Sequence, residues 1–165
     1  MLHMNAEKYR RWFEYEQDSN AKVVASLKAT AEELRSTAAF QKAVDLMAHL
    51  VAARKMWLYR LGAGEKPSEL FPAQTSLSEL PKLVDEMETA WSTYFSNLTD
   101  EVLARNFEYQ SYDGPRFSNT IEDVLTQLYG HSLYHRGQIA MILRTIGAEP
   151  APTYFIYWSR RPLDE

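Results

Sequence analysis

The chain has 165 residues, of which 45% are apolar, and a formal charge of −4. These values are typical of a globular protein, so we expect a single domain over residues 1–165 rather than disorder. The acidic balance offers no basic field for phosphates, which argues against a nucleic-acid partner. Because there is no cysteine, the chain has no disulfides, thiolate metal ligands or cysteine nucleophile.

The N-terminal residues are polar and lack the apolar core of a signal peptide. No apolar run approaches the ~18 residues that a membrane span needs. We therefore expect a cytoplasmic protein with no membrane partner.

Apolar residues recur at helical spacing in four long segments, taken here in chain order. The first two cover residues 7–29 and 38–61, and Gly62-Ala63-Gly64 ends the second. A capping pair is predicted before each of the other two segments, which cover 80–98 and about 121–146. The pairs are Ser76 with Glu79 and Asn119 with Glu122. Four helices with one apolar stripe each predict an all-α four-helix bundle.

Residues 105–118 interrupt the helical pattern between the third and fourth helices. Phe107 and Tyr109 alternate with polar residues, and Asp113-Gly114 is a turn dipeptide. The sequence therefore predicts a short hairpin-like insertion, although Pro115 directly after the turn weakens the pattern. The aromatic tail at 152–158 is too short for an independent element and is expected to pack on the bundle or on a partner.

Two histidines break the apolar face of the last helix. His131 and His135 are four residues apart, so their rings lie one turn above the other and can bind the same metal ion. The spacing also suits a buried, hydrogen-bonded pair without metal, and it does not separate the two interpretations. His49 lies on a helix that is apolar nearly all round, where the pattern favours a core or boundary histidine over a ligand.

Glu16 and Asn20 fall on the apolar side of the first helix. A buried carboxylate costs several kcal/mol unless it is paired or lies near a metal. The alternative is a kink near residues 18–20 that lets both side chains reach solvent. The third helix shows no such polar residue on its apolar face and is expected to act only as support.

The segment 131–139, HSLYHRGQI, resembles the H-x3-H-R-G-Q-I segment of the DinB-like (YfiT-like) family. His49 with the residues after it, and Tyr15-Glu16 with Asn20, are similar to the family's motifs on its second and first helices. The resemblance covers nearly the whole chain. It implies a four-helix bundle, a homodimer, and a divalent metal ion, often nickel or zinc, held by His49, His131 and His135.

Two positions depart from the family pattern. Asp18 stands where many members have Trp, and Tyr154 stands where relatives commonly have Asp. The family groups damage-inducible proteins with thiol-dependent transferases. If the family's Asp orients a substrate, that role is lost or moved in this chain. The departures therefore affect the inference of the substrate more than that of the metal.

The expected reaction is metal-dependent activation of an external low-molecular-weight thiol for transfer to a small electrophile. Because the chain has no cysteine, the thiol must be a co-substrate. Glu16 is the predicted general base or metal-supporting carboxylate, and Asn20 and Gln138 are predicted polar contacts near the site. Arg136 and Arg60 can hold an anionic substrate, and an ion-paired or solvated role suits each equally.

Three other functions remain open at this point. The first is a metal-dependent hydrolase that uses metal-activated hydroxide. The second is a non-catalytic stress protein that binds a metal or small ligand. The third is a helical dimerisation module whose histidines are packing residues. Aromatic residues make up 13% of the chain, and this excess predicts a homodimer interface.

Overall fold

The computed structural model describes residues 5–163 and is mostly helical. Four long helices and three short ones flank one two-stranded sheet within these residues. In chain order the elements are α1 (Asn5–Ala29), α2 (Glu32–Arg35), α3 (Ala38–Arg60), α4 (Leu80–Ser96), α5 (Asp100–Leu103), β1 (Asn106–Gln110), β2 (Arg116–Thr120), α6 (Ile121–Thr145) and α7 (Phe155–Ser159). The four long helices are those that the apolar periodicity predicts. No described helix is long and apolar enough to cross a membrane.

The long helices share one apolar core. α3 contacts both α4 and α6, and α1 contacts the same two helices. Trp91 of α4 is fully buried in this core, and its indole N–H donates to the carbonyl of Arg54 at 3.2 Å. Buried Trp needs such a partner for its N–H, so α4 is fixed against α3 by both packing and a hydrogen bond.

The caps of α4 and α6 differ from the predicted ones. Thr120 and Asp123 form the capping box of α6, one residue after the predicted pair of Asn119 and Glu122. Before α4, the Ser76 carbonyl accepts from the backbone of Glu79 and Leu80, and no side chain caps the helix. The predicted Ser76–Glu79 box is therefore wrong, because a backbone turn already satisfies these amides.

The insertion between α5 and α6 is a β-hairpin, so the prediction of a hairpin is confirmed and a purely all-α fold is corrected. β1 and β2 are antiparallel, with Tyr109 opposite Phe117. Pro115 lies in the turn, where its carbonyl accepts from the amide of Ser111 at 2.7 Å. Proline lacks only the donor, so a turn that uses its acceptor tolerates it.

The first helix runs unbroken through residues 18–20, so the predicted alternative of a kink is wrong. Glu16 and Asn20 are consequently 2% and 5% exposed. The aromatic tail packs on the same helix: Phe155 and Trp158 lie edge-on to the buried ring of Tyr15, with centroids 5.2 and 5.8 Å away. The tail therefore covers its own chain, as one of the two predicted alternatives has it.

Candidate metal centre

Three histidines from two facing helices meet at one point. His49 comes from α3, and His131 and His135 come from successive turns of α6. One ring nitrogen from each lies within 4.8 Å of the others, and the Nε2 atoms of His131 and His135 are 3.1 Å apart. All three side chains are partly buried. The four-residue spacing aligns the α6 pair, and the α3–α6 contact brings His49 to it.

Hydrogen bonds orient two of the rings. The Nδ1 of His49 lies 2.6 Å from the carbonyl oxygen of Leu70, and the Nδ1 of His135 lies 2.7 Å from the Oε1 of Gln138. Both oxygens are acceptors, so each Nδ1 carries the proton and each Nε2 keeps its lone pair for a ligand. A metal-binding histidine normally has such a partner for its second nitrogen.

Burial favours the neutral imidazole at two of the three histidines, His131 and His135. Burial lowers the pKa of His131 to about 4, assisted by the nearby His135, His49 and Arg54. Burial also lowers the pKa of His135. Neutral imidazole is the form that binds metal. The three donors, the orientation of His49 and His135, and the neutral form favoured at His131 and His135 therefore fit a divalent ion such as zinc or nickel.

The loop between α3 and α4 covers one side of the centre. The ring of Phe71 stacks on His49 with a centroid distance of 4.8 Å and an angle of 7°. Asp45 of α3 anchors this loop by accepting from the backbone amides of Gln74 and Thr75. A pocket of about 320 Å³ opens here, and His49, His135 and Phe71 are among its lining residues.

Glu16 lies in a buried ion-pair cluster. Within the part of the chain that the structure describes, it makes no hydrogen bond to the three histidines. Its carboxylate pairs with Arg54 of α3 and, at 3.6 Å, with Arg136 of α6. Arg136 also donates to the Oδ1 of Asn20 at 3.4 Å, and Asn20 donates to Glu88 at 2.9 Å. Burial lowers the pKa of both Arg54 and Arg136 and raises that of Glu88. The cluster ties all four long helices together.

This cluster adjoins the histidines through one contact. Arg54 donates to the hydroxyl of Ser132 at 3.4 Å, and Ser132 directly follows His131. Of the predicted residues, Gln138 thus contacts a histidine, whereas Glu16, Asn20 and Arg136 lie together in the ion-pair cluster. α4 does more than support the core, because it contributes Glu88.

The family assignment follows from a sequence match over almost the whole chain. The DinB family profile matches residues 1–162. The chain belongs to the DinB family. The crystal structure of a DinB-like protein from Bacillus cereus has the same fold, with a TM-score of 0.68 and 22% identity. That similarity covers 90% of this chain and 97% of the other. No curated protein matches the sequence.

The two departures from the DinB pattern lie outside the histidine cluster's contacts. Asp18 pairs with Lys22 at 2.6 Å on the same helix. Tyr154 is 61% exposed, and the neighbouring carbonyl of Thr153 accepts from the hydroxyl of Tyr15 at 2.5 Å. Asp18 therefore stabilises α1 locally, and Tyr154 belongs to the tail that covers α1.

Sequence reasoning missed Arg54, Glu88 and Phe71. Arg54 carried a signal, since it is a charged residue that directly follows an apolar run, Leu50 to Ala53, on a helix apolar nearly all round. Glu88 looks like an ordinary exposed residue on a helix. Phe71 lies in an irregular loop, where no periodicity shows what a side chain contacts.

Proposed function

We propose that His49, His131 and His135 hold one divalent metal ion, with nickel or zinc the best match to three imidazoles. The observation that carries this proposal is the convergence of three ring nitrogens within 4.8 Å of one another. The site is assembled from two facing long helices, α3 and α6, and the metal centres of four-helix bundles are commonly built in the same way. DinB family membership supports the same assignment.

The donor set favours a reactive centre over a structural one. Three protein ligands leave a tetrahedral ion one open position, whereas structural sites are closed by a fourth ligand. The pocket lined by His49 and His135 would admit a small molecule to an ion held by the three histidines. When bound, the ion supplies a Lewis acid that lowers the pKa of a thiol or of water.

We further propose that this protein transfers an external thiol to a small electrophile. The chain has no cysteine, so the sulfur must come from a second substrate. The thiol proton passes to solvent, a carbon–sulfur bond forms, and the leaving group departs from the same carbon with the electron pair. This chemistry belongs in the cytoplasm, where low-molecular-weight thiols are kept reduced.

The chain's own residues prepare this reaction. Leu70 and Gln138 hold His49 and His135 in the required tautomer, and Phe71 shields one face of the His49 ring from water. The sequence predicts that Glu16 moves protons, but its pairing with two guanidinium groups favours a positioning role. In that role it holds Arg54 against Ser132, and therefore supports the turn that presents His131.

The test is thiol dependence of turnover. Metal-loaded protein should consume a reactive electrophile only when a thiol is added, at a rate above that of the thiol alone. Glutathione-, bacillithiol- and mycothiol-type thiols form the panel, and the His131→Ala variant is the control. Turnover without thiol would indicate hydrolysis instead. Full metal occupancy without any turnover would indicate a metal-binding protein with no catalytic role.

We also propose a homodimer formed through the outer face of α6. Leu133, Tyr134 and Met141 are 40%, 65% and 62% exposed. At 100° per residue they lie within one helical face, and such an apolar patch is typical of an interface. Wild-type protein should therefore have twice the 19.1-kDa chain mass by light scattering at micromolar concentration.

The Met141→Glu variant should have the monomeric mass, because it places an unpaired charge in this patch. Ser92→Glu, which adds the same charge at an exposed position of α4, should leave the mass unchanged. A monomeric wild type would contradict the proposed dimer.

A further inference from the structure

A second and larger cleft adjoins the metal centre. It encloses about 860 Å³ between the α3–α4 loop and the hairpin, and its lining includes Leu70 and Phe71. These two residues also contact His49, through its Nδ1 and through its ring face. The cleft and the histidine centre are therefore adjacent, and Phe71 lies between them.

Arg60, the last residue of α3, is a cation in this cleft. Its guanidinium lies 4.6 Å from the ring centroid of Trp57 and 5.1 Å from that of Tyr109. The nearby Glu108 is paired with Arg116, and within residues 5–163 no carboxylate forms a salt bridge with Arg60. Burial lowers the pKa of Arg60. A half-buried guanidinium between aromatic rings readily binds a carboxylate.

The other charges of the cleft do not satisfy Arg60. Lys66 and Glu69 also line the cleft, but both side chains are exposed to solvent, and their charges are opposite to each other. Arg54 and Arg136 differ from Arg60 because each is paired with Glu16. Of the arginines considered for an anionic substrate, the structure leaves Arg60 available and places Arg136 in the core.

We propose that this cleft binds the carboxylate-bearing end of a peptide-like thiol, with Arg60 holding the carboxylate and the sulfur directed past Phe71 to the histidines. This inference rests on the proposed thiol transfer and specifies its co-substrate. Arg60 is eleven residues from His49, or ~16 Å along a helix. The γ-glutamyl carboxylate of glutathione is joined to the cysteine sulfur by a chain about as long as three extended residues, ~10 Å, and the Arg60 side chain tilts toward the helix N-terminus and hence toward His49.

Calorimetric titration with S-methylglutathione tests the cleft without turnover, because the methylated sulfur has no proton to lose. Wild-type protein should bind it, and Arg60→Gln should bind it roughly 10- to 100-fold more weakly, the loss expected for a charge-assisted hydrogen bond. Arg60→Lys should recover part of the affinity. Arg144→Gln, which removes an exposed charge at the end of α6, should bind like wild type.

A comparison of ligands needs no substitution at all. The diethyl ester of S-methylglutathione should bind wild-type protein at least tenfold more weakly than the free acid. Equal affinity of acid and ester, equal affinity of wild type and Arg60→Gln, or no binding of the acid at millimolar concentration would each overturn the proposal.

Kinetics separate this inference from the proposed function. Arg60→Gln should lower kcat/KM for glutathione and leave that for 2-mercaptoethanol, which has no carboxylate, unchanged. An equal decrease for both thiols would overturn the role of Arg60 while thiol transfer stands. Absence of turnover with these two thiols and with the rest of the thiol panel would instead reject thiol transfer, and the titration would still decide whether the cleft binds the carboxylate.

Discussion

Replacing His131 with alanine is expected to reduce bound metal from about one divalent ion per chain to a small fraction of that value. Its Nε2 lies 3.1 Å from that of His135, so both nitrogens face the same point. Removing it leaves two protein ligands, which hold a divalent ion poorly. His135→Ala and His49→Ala should lose metal for the same reason. Metal analysis of protein purified without a histidine tag measures the effect.

Two further variants test whether a supporting residue, rather than a ligand, affects metal binding. Gln138→Ala removes the acceptor that orients His135, and should weaken metal binding about 10- to 100-fold without abolishing it. Gln127→Ala, an exposed change on the same helix, should retain full occupancy. Full occupancy in both His131→Ala and His135→Ala would reject the proposed centre.

Glu16→Gln is expected to lower the free energy of unfolding by about 3–5 kcal/mol, because it removes the carboxylate that is paired with two buried guanidinium groups. Glu16 is 2% exposed and pairs with Arg54 and Arg136, both of which are also buried. For a chain of this length the melting temperature should fall by roughly 10 °C. The midpoint of urea unfolding, at unchanged m-value, measures the loss.

A matched exposed pair provides the control. Glu86 lies 3.6 Å from Lys55 and 3.8 Å from Lys82, in a solvated setting. Glu86→Gln should change stability by no more than about 0.5 kcal/mol. If Glu16→Gln cost no more than this, the ion-pair cluster would not stabilise the fold.

The same variant decides between the two roles of Glu16. Well below its melting temperature, folded and metal-loaded Glu16→Gln should keep most of its kcat if the carboxylate only positions Arg54. A large loss of kcat with unchanged metal content would support the predicted proton transfer instead. Adding Arg54→Met to Glu16→Gln should recover part of the lost stability, since one buried charge is then removed.

The elements that sequence reasoning predicted correctly are those set by local patterns. Apolar residues at 3.6-residue spacing predict the four long helices because each helix must bury one face whatever it packs against. Asp113-Gly114 predicts the hairpin because its backbone preference is a property of the dipeptide. The predicted cap of α6 lies one residue before the observed one. The sequence offers two pairs of equal spacing, Asn119 with Glu122 and Thr120 with Asp123, and only the backbone geometry chooses between them.

In the candidate centre, too, the part set by local spacing could be predicted and the part set by packing could not. The four-residue spacing by itself aligns His131 with His135, because it is a property of one helix. His49 is different, since α3 is apolar nearly all round and its periodicity gives no direction for a single side chain. The family resemblance identified it, and the packing of α3 on α6 brings it to the pair.

Sequence alone thus determined the helices, the hairpin and the paired histidines of α6, all of which depend on residues close together in the chain. Tertiary structure decided which charges are neutralised and what surrounds the centre. Glu16 meets Arg54 and Arg136, and the Leu70 carbonyl meets His49 across 21 residues. Such contacts depend on how helices and loops pack, and the free energy of burying a charge is known only once its partners are in place.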